Sequence, residues 1–197
     1  MPMLQTARKA GIRAIGLEEG DALVSVLITD GNDHVVIATS GGAAIRFHED
    51  EVRPMGREAF GVRGIKLREG DFVIGADKQS AGTYLLTVTE KGYGKRTELT
   101  EYLRTGPDGE KVAQSRGGKG LKNYNITPKT GLVAGCRVVS DSDDVMLIEN
   151  GGVIIRVPAS QINIYKRDVQ GVIIMRIEEG NALVSMERIS ADEEPEA

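Results

Sequence analysis

The 197-residue chain is 40% hydrophobic, 27% charged and only 4% aromatic, with 25 glycines, one cysteine and no tryptophan, a profile of short strands joined by tight turns rather than of a helical bundle. Nowhere do about 18 apolar residues follow one another, which excludes a membrane-spanning helix. The net charge of −4 argues against a uniformly basic nucleic-acid binder, yet Asp192, Glu193, Glu194 and Glu196 account for all of it, so the remainder is neutral and 191–197 reads as an acidic, disordered tail.

The chain opens on Met1-Pro2-Met3-Leu4, without the basic and apolar regions of a secretory signal. A single cysteine, Cys136, allows no internal disulfide and fits a reducing cytoplasm. From about residue 4 to 190 the dominant signal is an internal repeat, with units starting near 11, 61, 120 and 171. In the first unit, residues 11–17 alternate in polarity and predict a strand. Residues 22–29 are an apolar run ending at the turn Asp30-Gly31-Asn32-Asp33. Residues 34–40 are rich in β-branched side chains, and Gly41-Gly42 makes a tight hairpin into 43–47. A polar link over 48–52 then leads to the next unit.

The opening Gly11-Ile12-Arg13-Ala14-Ile15-Gly16-Leu17-Glu18-Glu19-Gly20-Asp21 returns at 61–71 and 171–181, and less faithfully from Gly120 to Gly131. A second signature stays in phase with it: Gly42, Gly92 and Gly152 are each followed four residues later by an arginine, Arg46, Arg96 and Arg156. Units of about 50 residues with four strands predict an all-β, propeller-like fold in which each four-stranded blade buries its faces against its neighbours. The count is three full units and the opening strands of a fourth, 171–189. Either an earlier blade precedes Gly11, or the last strands complete the first blade by closing a ring.

The longest interval, from Gly61 to Gly120, contains Gln114-Ser115-Arg116-Gly117-Gly118-Lys119-Gly120. Glycines, two cations and accessible backbone N–H groups suit a phosphate, although a charged turn in a β protein has the same composition. No catalytic constellation accompanies it. His34 and His48 read as surface residues beside strands, and neither a nucleophile elbow nor P-loop spacing occurs. Asp141, Asp143 and Asp144 lack the ordered ligand series of an EF-hand and read as a hairpin turn, and Cys136 reads as an inert core thiol. The expectation is no catalytic residue, no metal site and no cofactor.

The repeat resembles that of the C-terminal domain of the DNA gyrase A subunit. The resemblance is carried by residues 11–21, 29–33, 41–47, 52–56 and 61–71, and by Gly92-Tyr93-Gly94-Lys95-Arg96-Thr97. Lys91 stands where that family often has asparagine. Gln114–Gly120 matches the family's Gln-Arg-Arg-Gly-Gly-Lys-Gly box except at Ser115, and it lies in a later blade than that box normally does. The resemblance implies a β-pinwheel whose blades exchange strands, of which this chain matches the later part. It also implies DNA wrapped around a basic rim, a bacterial, nucleoid-associated setting, and two protein partners: the remainder of the gyrase A subunit, together with the gyrase B subunit. The family's catalytic tyrosine and ATPase lie outside this stretch.

Sequence-independent binding and bending of double-stranded DNA needs a row of cations at regular spacing. Arg46, Lys95 with Arg96, and Arg156 recur in phase. Arg53 and Arg57, Arg104, Arg116 with Lys119 and Lys122, and Lys166 with Arg167 fall on the connections. The in-phase arginines could instead serve the packing of blades, and a propeller-like platform could instead bind protein.

Overall fold

A computed structural model describes residues 12–190; the acidic tail at 191–197 and the start of the repeat region before residue 12 lie outside these residues. The described chain forms strands β1 (His34–Thr39), β2 (Ala43–His48), β3 (Val73–Lys78), β4 (Tyr84–Thr89), β5 (Tyr93–Glu98), β6 (Arg104–Thr105) and β7 (Lys111–Val112). It continues with β8 (Leu121–Lys122), β9 (Val133–Val139), β10 (Asp144–Glu149), β11 (Ile154–Pro158), β12 (Val172–Ile173) and β13 (Leu183–Ile189).

Three hairpins, β1–β2, β4–β5 and β10–β11, organise everything else. Their registers are equivalent: Ile37 faces Ile45, Thr87 faces Lys95 and Leu147 faces Ile155. Their turn glycines Gly42, Gly92 and Gly152 have φ of 79°, 74° and 94°, a region that a Cβ makes costly, and this explains why glycine recurs there. The strand after each hairpin's connection crosses back to pair with that hairpin's first strand, giving β1–β3, β4–β9 and β10–β13. A short strand from two units further on closes the other edge, β8 on β2 and β12 on β5.

The strand order is therefore β3-β1-β2-β8 in the first sheet, β12-β5-β4-β9 in the second and β11-β10-β13 in the third. This corrects the grouping expected from sequence. A blade is not one 50-residue unit but an exchange among three consecutive ones, because only a neighbour's edge offers the free N–H and C=O groups that a strand must pair. For the same reason residues 12–17 and 22–29, in the stretches expected as strands, form no ladder among the described residues; none of those residues precedes them with a hairpin to pair with. The last strand, β13, pairs with β10 and does not complete the first sheet.

The core lies between adjacent sheets. Val36, Ala38, Leu85 and Val138 fill the space between the first and second, and Leu86, Val88, Leu147 and Met186 that between the second and third. The connections are thus left on the outside, where they carry most of the cations.

Candidate nucleic-acid interface

Two connectors each run from one hairpin back to the sheet before it. Residues 99–120 lead from β5 to β8 on the first sheet, and residues 159–171 lead from β11 to β12 on the second. Each lies along the hairpin strand it reaches: the Gln114 N–H donates to the Arg46 carbonyl at 2.9 Å, and the Tyr165 N–H to the Arg96 carbonyl at 2.8 Å. Each then ends on a glycine with positive φ, Gly120 or Gly171. A Cβ on Gly120 would come within 2.6 Å of the Ala44 carbonyl oxygen, and one on Gly171 would collide with the Gly94 carbonyl. The equivalent Gly61 has nothing within 4 Å, and residues 62–63, the counterparts of β8 and β12, form no ladder among the described residues.

Aligned on these glycines, the connectors share a feature that sequence alone did not bring out. An arginine stands four residues before each: Arg57, Arg116 and Arg167. Arg116 donates through a terminal nitrogen to the Arg63 carbonyl at 2.6 Å, and Arg167 to the Lys122 carbonyl at 3.2 Å. Arg63 and Lys122 are themselves equivalent, two residues after Gly61 and Gly120. The connector arginine therefore stitches one connection to the one before it.

The loop 114–120 is first of all such a joint. Gln114 is buried and its amide donates to the Tyr102 carbonyl. The Gly117 N–H donates to Gly64 at 2.6 Å and the Lys66 N–H to Gly118 at 2.8 Å. Arg116 adds its backbone N–H to the Glu51 carboxylate and its Nε to the Glu51 carbonyl. Of the two cations expected to meet phosphate here, Lys119 is exposed and Arg116 is half-buried.

The hairpin cations of the first two sheets need correction. Arg46, Lys95 and Arg96 are buried. Arg46 donates to the Leu99 carbonyl and the Gln79 side chain. Arg96 donates to the Ile162 and Ser160 carbonyls, pairs with Asp141 and lies over the Tyr84 ring at 4.6 Å. Lys95 donates to the Lys166 and Arg167 carbonyls, and burial lowers its pKa to about 7. All three tie a hairpin to the connector that returns to it from the next hairpin, so their in-phase recurrence reports packing rather than a surface open to phosphate. Arg156, at the equivalent place in the third sheet, remains about half exposed and pairs with Asp144 at 2.6 Å.

What faces solvent is the set on the connections: Arg53, Arg57, Arg104, Lys119, Lys122 and Lys166. Arg104 and Lys111 sit on the extra β6–β7 hairpin that lengthens the second unit, with Lys111 Nζ 3.0 Å from the Thr105 hydroxyl. Arg104, Lys111 and Arg167 line one open cleft together with Thr100, Thr105 and Glu101. Two successive connectors thus pool three cations in a single groove, with Lys119 and Lys122 on the flanking chain. Lys111 was missed from sequence because its place beside Arg104 depends on the short hairpin between them. Asp141, Asp143 and Asp144 form the expected turn, and no acidic, histidine or cysteine cluster suited to a metal occurs among the described residues. Cys136 is buried, bonded to Thr87, with burial pushing its pKa to about 12.

The family model described as DNA gyrase C-terminal domain, beta-propeller, matches residues 4–30, 33–80, 83–113, 111–140 and 143–190. Two of these segments each hold a hairpin and the strand that crosses back to it: 33–80 holds β1, β2 and β3, and 143–190 holds β10, β11 and β13, together with β12; the segments 83–113 and 111–140 overlap in the extra hairpin. The DNA gyrase A subunit of Aminobacterium colombiense is 38% identical over 190 residues, covering 96% of this chain and 22% of the relative. That of Escherichia coli (strain K12) is 39% identical over 189 residues, covering 95% and 21%. The chain therefore spans about a fifth of these relatives. Among solved structures, a DNA gyrase A C-terminal domain matches with a TM-score of 0.79 at 28% identity, covering 91% of this chain and 58% of the other. A DNA topoisomerase IV C-terminal domain matches with 0.84 at 25%, covering 95% and 56%.

Proposed function

The chain belongs to the DNA gyrase C-terminal domain, beta-propeller family, and from that premise we propose that it binds duplex DNA without sequence preference and bends it, within a gyrase A subunit that supports supercoiling. The observation that carries this reading is the groove in which Arg104, Lys111 and Arg167, from two successive connectors, converge. Cations repeated from one connector to the next are what a continuous phosphate backbone requires, and such contacts position DNA without reading bases. Bending a 20–30 base-pair site costs on the order of 1–6 kcal/mol, which contacts on more than one connector must offset. The interface comprises Arg53, Arg57, Arg104, Lys119, Lys122, Lys166 and Arg167, with Lys111 added and Arg46, Lys95 and Arg96 removed. Arg116 belongs mainly to the scaffold beneath, and Arg156 extends the surface onto the third sheet. The chain performs no chemistry of its own in this reading; the rest of the gyrase A subunit, with the gyrase B subunit, supplies it.

A titration with a duplex of about 40 base pairs at two salt concentrations tests this. Binding should weaken linearly in log K against log salt with a slope near −0.9 per neutralised phosphate. No binding at low salt, or a slope near zero, would overturn the proposal in favour of a protein-binding platform.

A further inference from the structure

Position 95 is where the three hairpins differ most in kind. Its equivalents are Ile45 and Ile155, while Lys95 is 0% exposed in the middle of β5. A buried ammonium must find acceptors or neutralise. Lys95 Nζ has two, the carbonyls of Lys166 at 2.5 Å and Arg167 at 2.7 Å, and it lies 5.5 Å from the centre of the Tyr124 ring.

The connector it holds is fastened at both ends by other means. Upstream, the Arg96 N–H donates to Asn163 and the Tyr165 N–H to Arg96. Downstream, the Tyr124 hydroxyl donates to the Gln170 carbonyl, and Gly171 sits against Gly94. Between these points two side chains hold 166–168: Lys95 on the Lys166 and Arg167 carbonyls, and Arg167 on the Lys122 carbonyl. The equivalent stretch of the other connector, 115–117, shares the arginine bond, here Arg116 to the Arg63 carbonyl, and adds Arg116 on Glu51 and the Gly117 N–H on Gly64. Isoleucine at position 45 suffices there, and lysine at 95 replaces the missing bonds here.

We propose that Lys95 is a positioning residue, a buried strut whose two carbonyl bonds fix the 166–168 turn so that Lys166 and Arg167 are presented together to the phosphate backbone. The proposal rests on the DNA-binding reading above for its function, though not for its geometry.

Lys95→Met in the full chain is the test, since two equivalent hairpins fold with an apolar residue at that place. Amide exchange at 166–169 should rise about tenfold, with β9 unchanged. Duplex affinity should fall three- to tenfold, with a shallower salt slope. In a Lys166→Ala, Arg167→Ala background, Lys95→Met should cost less than twofold further, because the cations it positions are gone. Unchanged exchange would overturn the strut. An equal loss of affinity in both backgrounds would make Lys95 merely structural and overturn the positioning role. If the unaltered chain binds no duplex, the DNA reading fails and the positioning role falls with it, whatever the exchange shows.

Should the variant not fold, the unaltered chain serves. Lys95 faces Asp168 and Arg167 on the connector, Glu101 after β5, Cys136 on β9 and the Tyr124 ring. Its pKa is about 7 when buried, against an ordinary value of 10.5 in water, so opening the turn to water takes up a proton between those values. Protection at 166–169 relative to β9 should therefore be flat below pH 7 and rise from 7 to 10; a flat ratio throughout would overturn the strut.

Discussion

The same four residues occur twice in the chain, Ala22-Leu23-Val24-Ser25 and Ala182-Leu183-Val184-Ser185, each after a Glu-Glu-Gly turn and one further residue. The second copy enters β13, pairs with β10 and leaves Leu183 2% exposed. The first forms no ladder among the described residues and leaves Leu23 59% exposed. Local propensity is identical, so the difference is tertiary: a strand in this fold is made by the edge it meets. Each unit exports its apolar run to the hairpin before it. Stability therefore sits at the joints between units, and equivalent residues should differ in value according to whether the joint is present.

The largest consequence concerns those two leucines. Leu183→Ala should cost about 2–5 kcal/mol, the usual range for a buried leucine replaced by alanine. Leu23→Ala should stay within about 0.5 kcal/mol, as for surface changes. Chemical unfolding of both variants checks this, and equal losses would break the comparison.

The hairpin arginines offer a second pair. Arg96 binds two carbonyls and Asp141 across a joint, whereas Arg156 pairs with Asp144 inside its own hairpin. Arg96→Ala leaves buried acceptors unmet and should cost about 2–4 kcal/mol. Arg156→Ala should cost less than about 1 kcal/mol, as for an exposed ion pair. Thermal midpoints would show the split, and a larger loss at Arg156 would contradict it.

These pairs also mark how far the sequence could be read. The glycine and arginine periods identified the repeat, the hairpins and the all-β class, because turn geometry and two-residue alternation are local. Which strands share a sheet was not legible. Residues 22–29 and 73–78 look alike in sequence, and only long-range pairing separates them. The site was half legible for the same reason. Arg104, Lys119, Lys122 and Lys166 are legible as connector cations, but for Arg46, Lys95 and Arg96 periodicity says that a role is shared without saying whether it is phosphate contact or packing. The connector arginines Arg57, Arg116 and Arg167 were visible individually, and their common phase emerges once the repeats are aligned on Gly61, Gly120 and Gly171.

The smallest effects lie within the loop 114–120, where scaffold and surface are three residues apart. Arg116 spends its side chain on the Glu51 and Arg63 carbonyls, and Lys119 points to solvent from the same loop. Arg116→Ala should lose about 1–2 kcal/mol of stability through those two bonds, and any fall in duplex affinity should track the loosened loop. Lys119→Ala should change stability by less than about 0.5 kcal/mol while reducing the salt slope by about 0.9, the share of one phosphate. The two single variants must be compared separately, since removing both residues at once would mix a broken joint with a lost contact. Unfolding curves together with salt titrations separate them. A lower slope for Arg116→Ala with full stability, and none for Lys119→Ala, would reverse the assignment and make the joint itself the surface that DNA meets.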